Sequence, residues 1–137
     1  MKDHLRQQLI RDEGIRLKPY RDTVGKLTIG VGRNLDDVGI SQDEADLMLD
    51  GDINRTIATL RQKFAWFDHL SVPRQVVIAN MAFNLGIDGL SKFRRMLKAI
   101  EDKDYIVAAR EMLDSGWSNQ VGSRAKRLAK QMETDSF

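Results

Sequence analysis

Cysteine is absent from this chain, which excludes a disulfide framework and any chemistry that needs a thiol. Histidine is scarce: His4 and His69 lie far apart without the spacing of metal ligands, and no metal site is expected. There is no long hydrophobic run. The most apolar stretch, residues 76–83, is interrupted by Asn80 and is too short to cross a bilayer. The start, MKDHLRQQLIRDEG, mixes charged and apolar residues and lacks the apolar core of a signal peptide. Synthesis in the cytoplasm, with no stable membrane association, is therefore expected, and work elsewhere would need a separate exit route. Internal repeats, low-complexity tracts and Pro/Ser-rich linkers are also missing.

What remains is 137 residues with 42% hydrophobic content, the size and composition of one soluble domain with a sizeable core. Charges nearly balance, 22 basic against 20 acidic, but they are segregated. Residues 34–54 hold seven acids and no base, whereas Lys92, Arg94, Arg95, Lys98, Arg124, Lys126, Arg127 and Lys130 concentrate positive charge later. Such a face suits a polyanion, either cell wall or nucleic acid; it equally suits solvated helix surface.

Leu5, Leu9 and Ile10 predict a short helix over 3–13, stopped by Gly14. Pro19, Asp22-Thr23 and Gly25 are turn formers, and Leu27-Thr28-Ile29 with Val31 favours strand. A β-hairpin or three-stranded sheet is expected over about 17–32. Ser41 with Glu44 three residues on is a capping box that opens a long helix over about 41–62. After a break at 64–71, residues 72–85 read as the central buried helix, ended by Gly86. Further helices are expected from Ser91 to about Glu101, from Asp104 to Ser115, and from Ser118 or Ser123 to Met132. The fold class is α+β and mostly helical, one domain over 1–137. A small sheet lobe (about 14–40) and a helical lobe (about 63–137, plus the first helix) are joined by the long helix, with a cleft between lobes as the expected substrate site.

The stretch DEGIRLKPYRDTVGKLTIGVGRN carries the chemistry. Glu13 ends a helix, Asp22 follows on a turn, and Thr28 sits on a strand. Two carboxylates and a hydroxyl can cut a glycosidic bond if one acid keeps its proton and the other stays ionised. The C-terminal end of a helix disfavours negative charge, which suits Glu13 to the acid role. Asp22, among Arg21, Thr23 and Gly25, suits the ionised one. Singly, each residue reads as a surface glutamate, a turn aspartate and a strand threonine.

The whole string, Glu13-Gly14, Tyr20, Asp22-Thr23, Gly25, Thr28-Ile29-Gly30 and Gly32, closely resembles the phage-type lysozymes of glycoside hydrolase family 24. The resemblance continues through SQDEADLMLDGDI, NMAFNLG and WSNQVGSRAKR, in the family's order, and so covers nearly the whole chain. It implies Glu13 as general acid, Asp22 as the group that holds or activates water, Thr28 as a positioner of that water, and inversion at the sugar. Phe83 and Asn84 match sugar-contact positions, the second usually glutamine. Arg124 matches the arginine beside the catalytic acid.

Two departures stand out. Arg33 occupies the place of a histidine that, in the family, pairs with an aspartate matching Asp52, so an Arg33–Asp52 ion pair is expected. Asn34 also reaches the Ser41 cap within seven residues, where the T-even phage members carry a long insertion, which implies a more compact sheet lobe.

The resemblance implies a muramidase acting on the β-1,4 bond between N-acetylmuramic acid and N-acetylglucosamine of peptidoglycan. It would be an endolysin without cofactor or metal, monomeric, released to the periplasm through a partner's pore (a holin). A lytic transglycosylase would use one glutamate, and the presence of Asp22 and Thr28 argues against it. A wall-binding or phage-tail module without activity is the alternative from another class, against which all three catalytic positions are intact. Nucleic-acid binding rests only on the helix with Arg124, Lys126, Arg127 and Lys130, with no motif to support it.

Overall fold

The computed structural model describes residues 1–137. The chain is α+β and mostly helical: α1 (Lys2–Glu13), β1 (Arg16–Arg21), β2 (Leu27–Gly30), β3 (Arg33–Asn34), α2 (Gln42–Lys63), a 3-10 turn (Phe67–His69), α3 (Val72–Ser91), α4 (Arg94–Glu101), α5 (Tyr105–Leu113), α6 (Gly116–Val121) and α7 (Ser123–Thr134). It forms two compact units, Met1–Met48 and Leu49–Phe137, and α2 runs from the first into the second.

In the first unit the strands form one antiparallel sheet in the order β1-β2-β3. Gly14 separates α1 from it with φ 74° and ψ 172°, a conformation essentially restricted to glycine, while its N–H closes the helix on the Ile10 carbonyl. Tyr20 lies opposite Thr28 and Arg21 opposite Leu27; on the other edge Thr28 faces Asn34 and Ile29 faces Arg33. Thr28 therefore sits in the central strand, and it is the one buried side chain in this unit. The capping box is realised in full: Ser41 Oγ accepts the Glu44 N–H at 3.1 Å, and Glu44 Oε1 accepts the Ser41 N–H at 2.9 Å.

The second unit holds the hydrophobic core. Leu60, Val77, Ile78, Met81, Leu90, Met96, Ile100, Met112 and Met132 are fully buried, each contributing about 1.5–3 kcal/mol of transfer free energy. Helix α4 shows how segregated charge meets the core: Met96, Ala99 and Ile100 are buried, whereas Arg94, Arg95 and Lys98 face solvent. The α7 side chains divide likewise, with Leu128, Ala129 and Met132 inside and Lys126, Arg127 and Lys130 outside.

Gly86 ends the first stretch of α3 as expected, taking non-helical angles (φ 74°, ψ 165°) at a kink, and a second helical stretch follows as far as Ser91. Two other boundaries shift. Ser91 is a last-turn residue whose hydroxyl donates to the Ile87 carbonyl, and α4 starts at Arg94 behind Phe93. α5 ends at Leu113 with Asp114 as its cap, so Gly116 opens α6 instead of stopping α5, and Ser115 caps α6 by accepting the Ser118 N–H. Gly122, at φ 55° and ψ −116°, then divides α6 from α7.

Candidate active site

Glu13 is the last residue of α1, with its side chain exposed. Its carboxylate lies over Gly32, where an added methyl group would come within 3.0 Å of Oε2. Gly30 and Gly32, at φ 69° and 65°, make the tight connection from β2 to β3 that forms this seat.

Asp22 and Thr28 are brought together through the peptide of Lys26. Asp22 Oδ1 accepts the N–H groups of Val24 at 3.0 Å and Lys26 at 2.8 Å, an aspartate turn that leaves Oδ2 without a protein donor. The Lys26 carbonyl in turn accepts the Asp22 N–H at 2.9 Å and the Thr28 hydroxyl at 2.8 Å. Thr28 has therefore spent its only proton on the backbone, and its oxygen faces any further partner as an acceptor. Tyr20, across from Thr28, is half-buried with the Arg16 guanidinium 4.3 Å from its ring centre.

The expected Arg33–Asp52 pair is replaced by two others. Arg33 grips Glu44 with two parallel 2.9 Å bonds and also donates to the Gly39 carbonyl at 3.1 Å. Asp52 pairs with Arg55 one turn along the same helix. Geometry explains the preference: the capping box already fixes the Glu44 carboxylate, and a fixed carboxylate suits the guanidinium fork. The Arg33 bonds, and then the Ser41 N–H, hold the Glu44 carboxyl down to about 2 from its ordinary 4.5. Glu44 likewise raises Arg33, which stays charged throughout.

In the second unit, Asn84 Oδ1 accepts the Trp117 indole N–H at 2.9 Å. Arg124 donates from Nε (3.0 Å) and Nη2 (2.6 Å) to Asn80 Oδ1. Phe83 is 48% exposed, and with Asn80, Arg124, Ile53, Ile57 and Val76 it lines a mainly apolar cavity of about 350 Å³. Nothing in the sequence singles out Asn80 or Trp117 for the site; pairing them with Arg124 and Asn84 needs the fold. The Ser41–Glu44 spacing likewise marks Glu44 as a helix cap and gives no sign of Arg33.

The Phage lysozyme family model matches residues 11–134, and the chain belongs to that family. Relatives span several settings. Probable T4-type lysozyme 2 of Dictyostelium discoideum is 29% identical, covering 100% of this chain and 98% of its own length. The SAR-endolysin of Escherichia phage Mu is 32% identical over 95% of this chain and 75% of its own. The pre-baseplate central spike protein Gp5 of Enterobacteria phage T4 is 30% identical over 89% of this chain, which corresponds to 26% of that protein. The chain is a glycoside hydrolase of lysozyme type. No helix is long and apolar enough to cross a membrane.

Proposed function

We propose that the protein is a muramidase that hydrolyses the β-1,4 bond between N-acetylmuramic acid and N-acetylglucosamine in peptidoglycan, with inversion at the anomeric carbon. The observation that carries this reading is the Asp22–Lys26–Thr28 link, in which both side chains bond to Lys26 while Asp22 Oδ2 and the Thr28 hydroxyl oxygen keep lone pairs free to accept. A water that donates one proton to Asp22 Oδ2 and the other to Thr28 Oγ1 aims its lone pair outward. That is the arrangement a nucleophilic water requires.

Glu13, protonated, gives its proton to the glycosidic oxygen as the bond from that oxygen to the anomeric carbon breaks. The water oxygen bonds to the same carbon from the opposite face, and its proton passes to Asp22. The sugar released carries the new hydroxyl, Glu13 is left as a carboxylate, and exchange with solvent resets both acids. Inversion calls for the two carboxyl groups roughly 6.5–9.5 Å apart, leaving room for that water. Phe83 and Asn84 serve as sugar contacts. Arg124 serves as a supporting residue, its guanidinium steadied by Asn80.

Digestion of purified peptidoglycan followed by mass spectrometry tests the reaction. Hydrolysis leaves N-acetylmuramic acid at new reducing ends; an anhydro-muramic product, lighter by one water, would make the protein a lytic transglycosylase instead. We further infer an endolysin's role: made in the host cytoplasm, passed to the periplasm through a holin pore, and acting there as a monomer. The endolysins among its relatives support that setting, and the T4 spike protein supports a tail-borne one. Lysis timing in a host that carries the gene with and without the pore protein separates them.

A further inference from the structure

We propose that Asp36 is a positioning residue for hydrolysis, holding the Asp22–Thr28 pair in register from outside the reacting centre. The inference rests on the roles of Asp22 and Thr28 given above. Asp36 lies in the short connection between β3 and α2, and its Oδ2 accepts the Leu27 N–H at 2.7 Å. Leu35, one residue earlier, donates its N–H to the Leu27 carbonyl, also at 2.7 Å. Both backbone polar groups of the residue beside Thr28 are therefore gripped by residues 35–36.

The same Oδ2 stands 3.9 Å from Arg21 Nη1, and that guanidinium nitrogen donates to the Gly25 carbonyl at 3.1 Å. Arg21 and Leu27 are cross-strand partners at the mouth of the turn that holds Asp22. One carboxylate thus touches both flanks of the pair: the residue before Asp22 and the residue before Thr28.

The two contacts are unequal. A backbone N–H on a carboxylate at 2.7 Å is charge-assisted, about twice the strength of a neutral hydrogen bond. The Arg21 contact joins side chains 67% and 44% exposed at the outer limit of an ion pair, where water and salt screen it. Asp36 therefore acts as an acceptor for Leu27 more than as a charge for Arg21. An amide in its place still offers an oxygen, whereas alanine leaves the start of β2 free to shift against the Lys26 peptide. A misplacement of about 1 Å in the attacking water costs on the order of 100-fold in rate. Sugar contacts are not touched.

The test is kcat and KM on soluble peptidoglycan fragments for the wild type, Asp36→Ala, Asp36→Asn, Asp37→Asn and Asp22→Asn, each with a thermal melt. Asp37 is the neighbouring control, since its carboxylate meets the Lys26 ammonium at 3.2 Å through side chains alone. Asp36→Ala should lose about 10- to 100-fold in kcat with KM within about twofold, while Asp36→Asn and Asp37→Asn stay near the wild type. If the alanine form does not fold, Asp36→Ser takes its place, because serine is too short to reach the Leu27 N–H. Wild-type kcat in Asp36→Ala beside an inactive Asp22→Asn overturns this inference alone, as does an Asp36→Asn as slow as the alanine form. Full activity in Asp22→Asn overturns the underlying reading instead.

Discussion

The carboxylate of Glu13 rests on the bare α-carbon of Gly32: a methyl group there would lie 3.0 Å from Oε2 and 3.2 Å from the carboxyl carbon. Gly32 also holds φ at 65°, so the position is reserved for glycine twice, by backbone and by space. Gly32→Ala should displace the acid and lower kcat by about 10- to 100-fold. Its stability should fall by about 1–2 kcal/mol from the left-handed backbone. Steady-state kinetics with a thermal melt checks both, and unchanged kcat would mean that Glu13 does not work from this seat.

Thr28 offers a cleaner separation of chemistry from folding. Thr28→Val keeps the shape of the buried side chain but removes the hydroxyl. The Lys26 carbonyl retains the Asp22 N–H, so the loss of stability should be about 1 kcal/mol. Activity should fall on the order of 100-fold, because the water loses one of its two acceptors. Thr28→Ser, with its hydroxyl kept, should stay within about tenfold of the wild type. Equal rates in the valine and serine forms would remove Thr28 from the mechanism.

The Arg33–Glu44 pair predicts a pH dependence with a definite sign. Glu44 binds its proton less readily folded (about 2) than at its ordinary 4.5. The stabilisation is therefore complete above about pH 5 and is lost as pH falls through 4.5 toward 2. Glu44→Gln should melt below the wild type at neutral pH, and the gap should close across that window. Because both side chains are partly exposed, salt should narrow the gap as well. A gap that persists unchanged at pH 2 would contradict the pairing.

Phe83, nearly half exposed, contributes little to the core, so Phe83→Ala should cost less than about 1 kcal/mol. If it contacts sugar, KM should rise about tenfold while kcat holds. Asn84→Ala should act on both, since it also removes the acceptor of the Trp117 indole N–H. An unchanged KM in Phe83→Ala would take that residue out of the binding surface.

Much of the fold was legible because its signals are local. Glycine at 14, the Ser41–Glu44 spacing and the turn formers around Asp22 each specify a backbone event within four residues, and each appears where expected. Ser91 misled because serine caps helices and also bonds back to the preceding turn; which it does depends on how α3 continues past Gly86. The Asp22–Thr28 link was half legible, since proximity followed from the hairpin but the shared Lys26 peptide did not. Arg33's partner was not legible at all. Residues 34–54 hold seven acids, and only the three-dimensional path of the short connection puts Glu44 under the guanidinium. Asp36 was lost in the same acidic run for the same reason.

The most direct test of the central claim compares wild type with Glu13→Gln in clearing outer-membrane-permeabilised Gram-negative cells, with folding of both verified. The glutamine keeps the shape of the side chain and removes the proton donor. Clearing by the wild type and a loss of about 10²- to 10⁴-fold in the variant are expected. Equal clearing by two folded proteins would contradict the assignment of Glu13 as the acid.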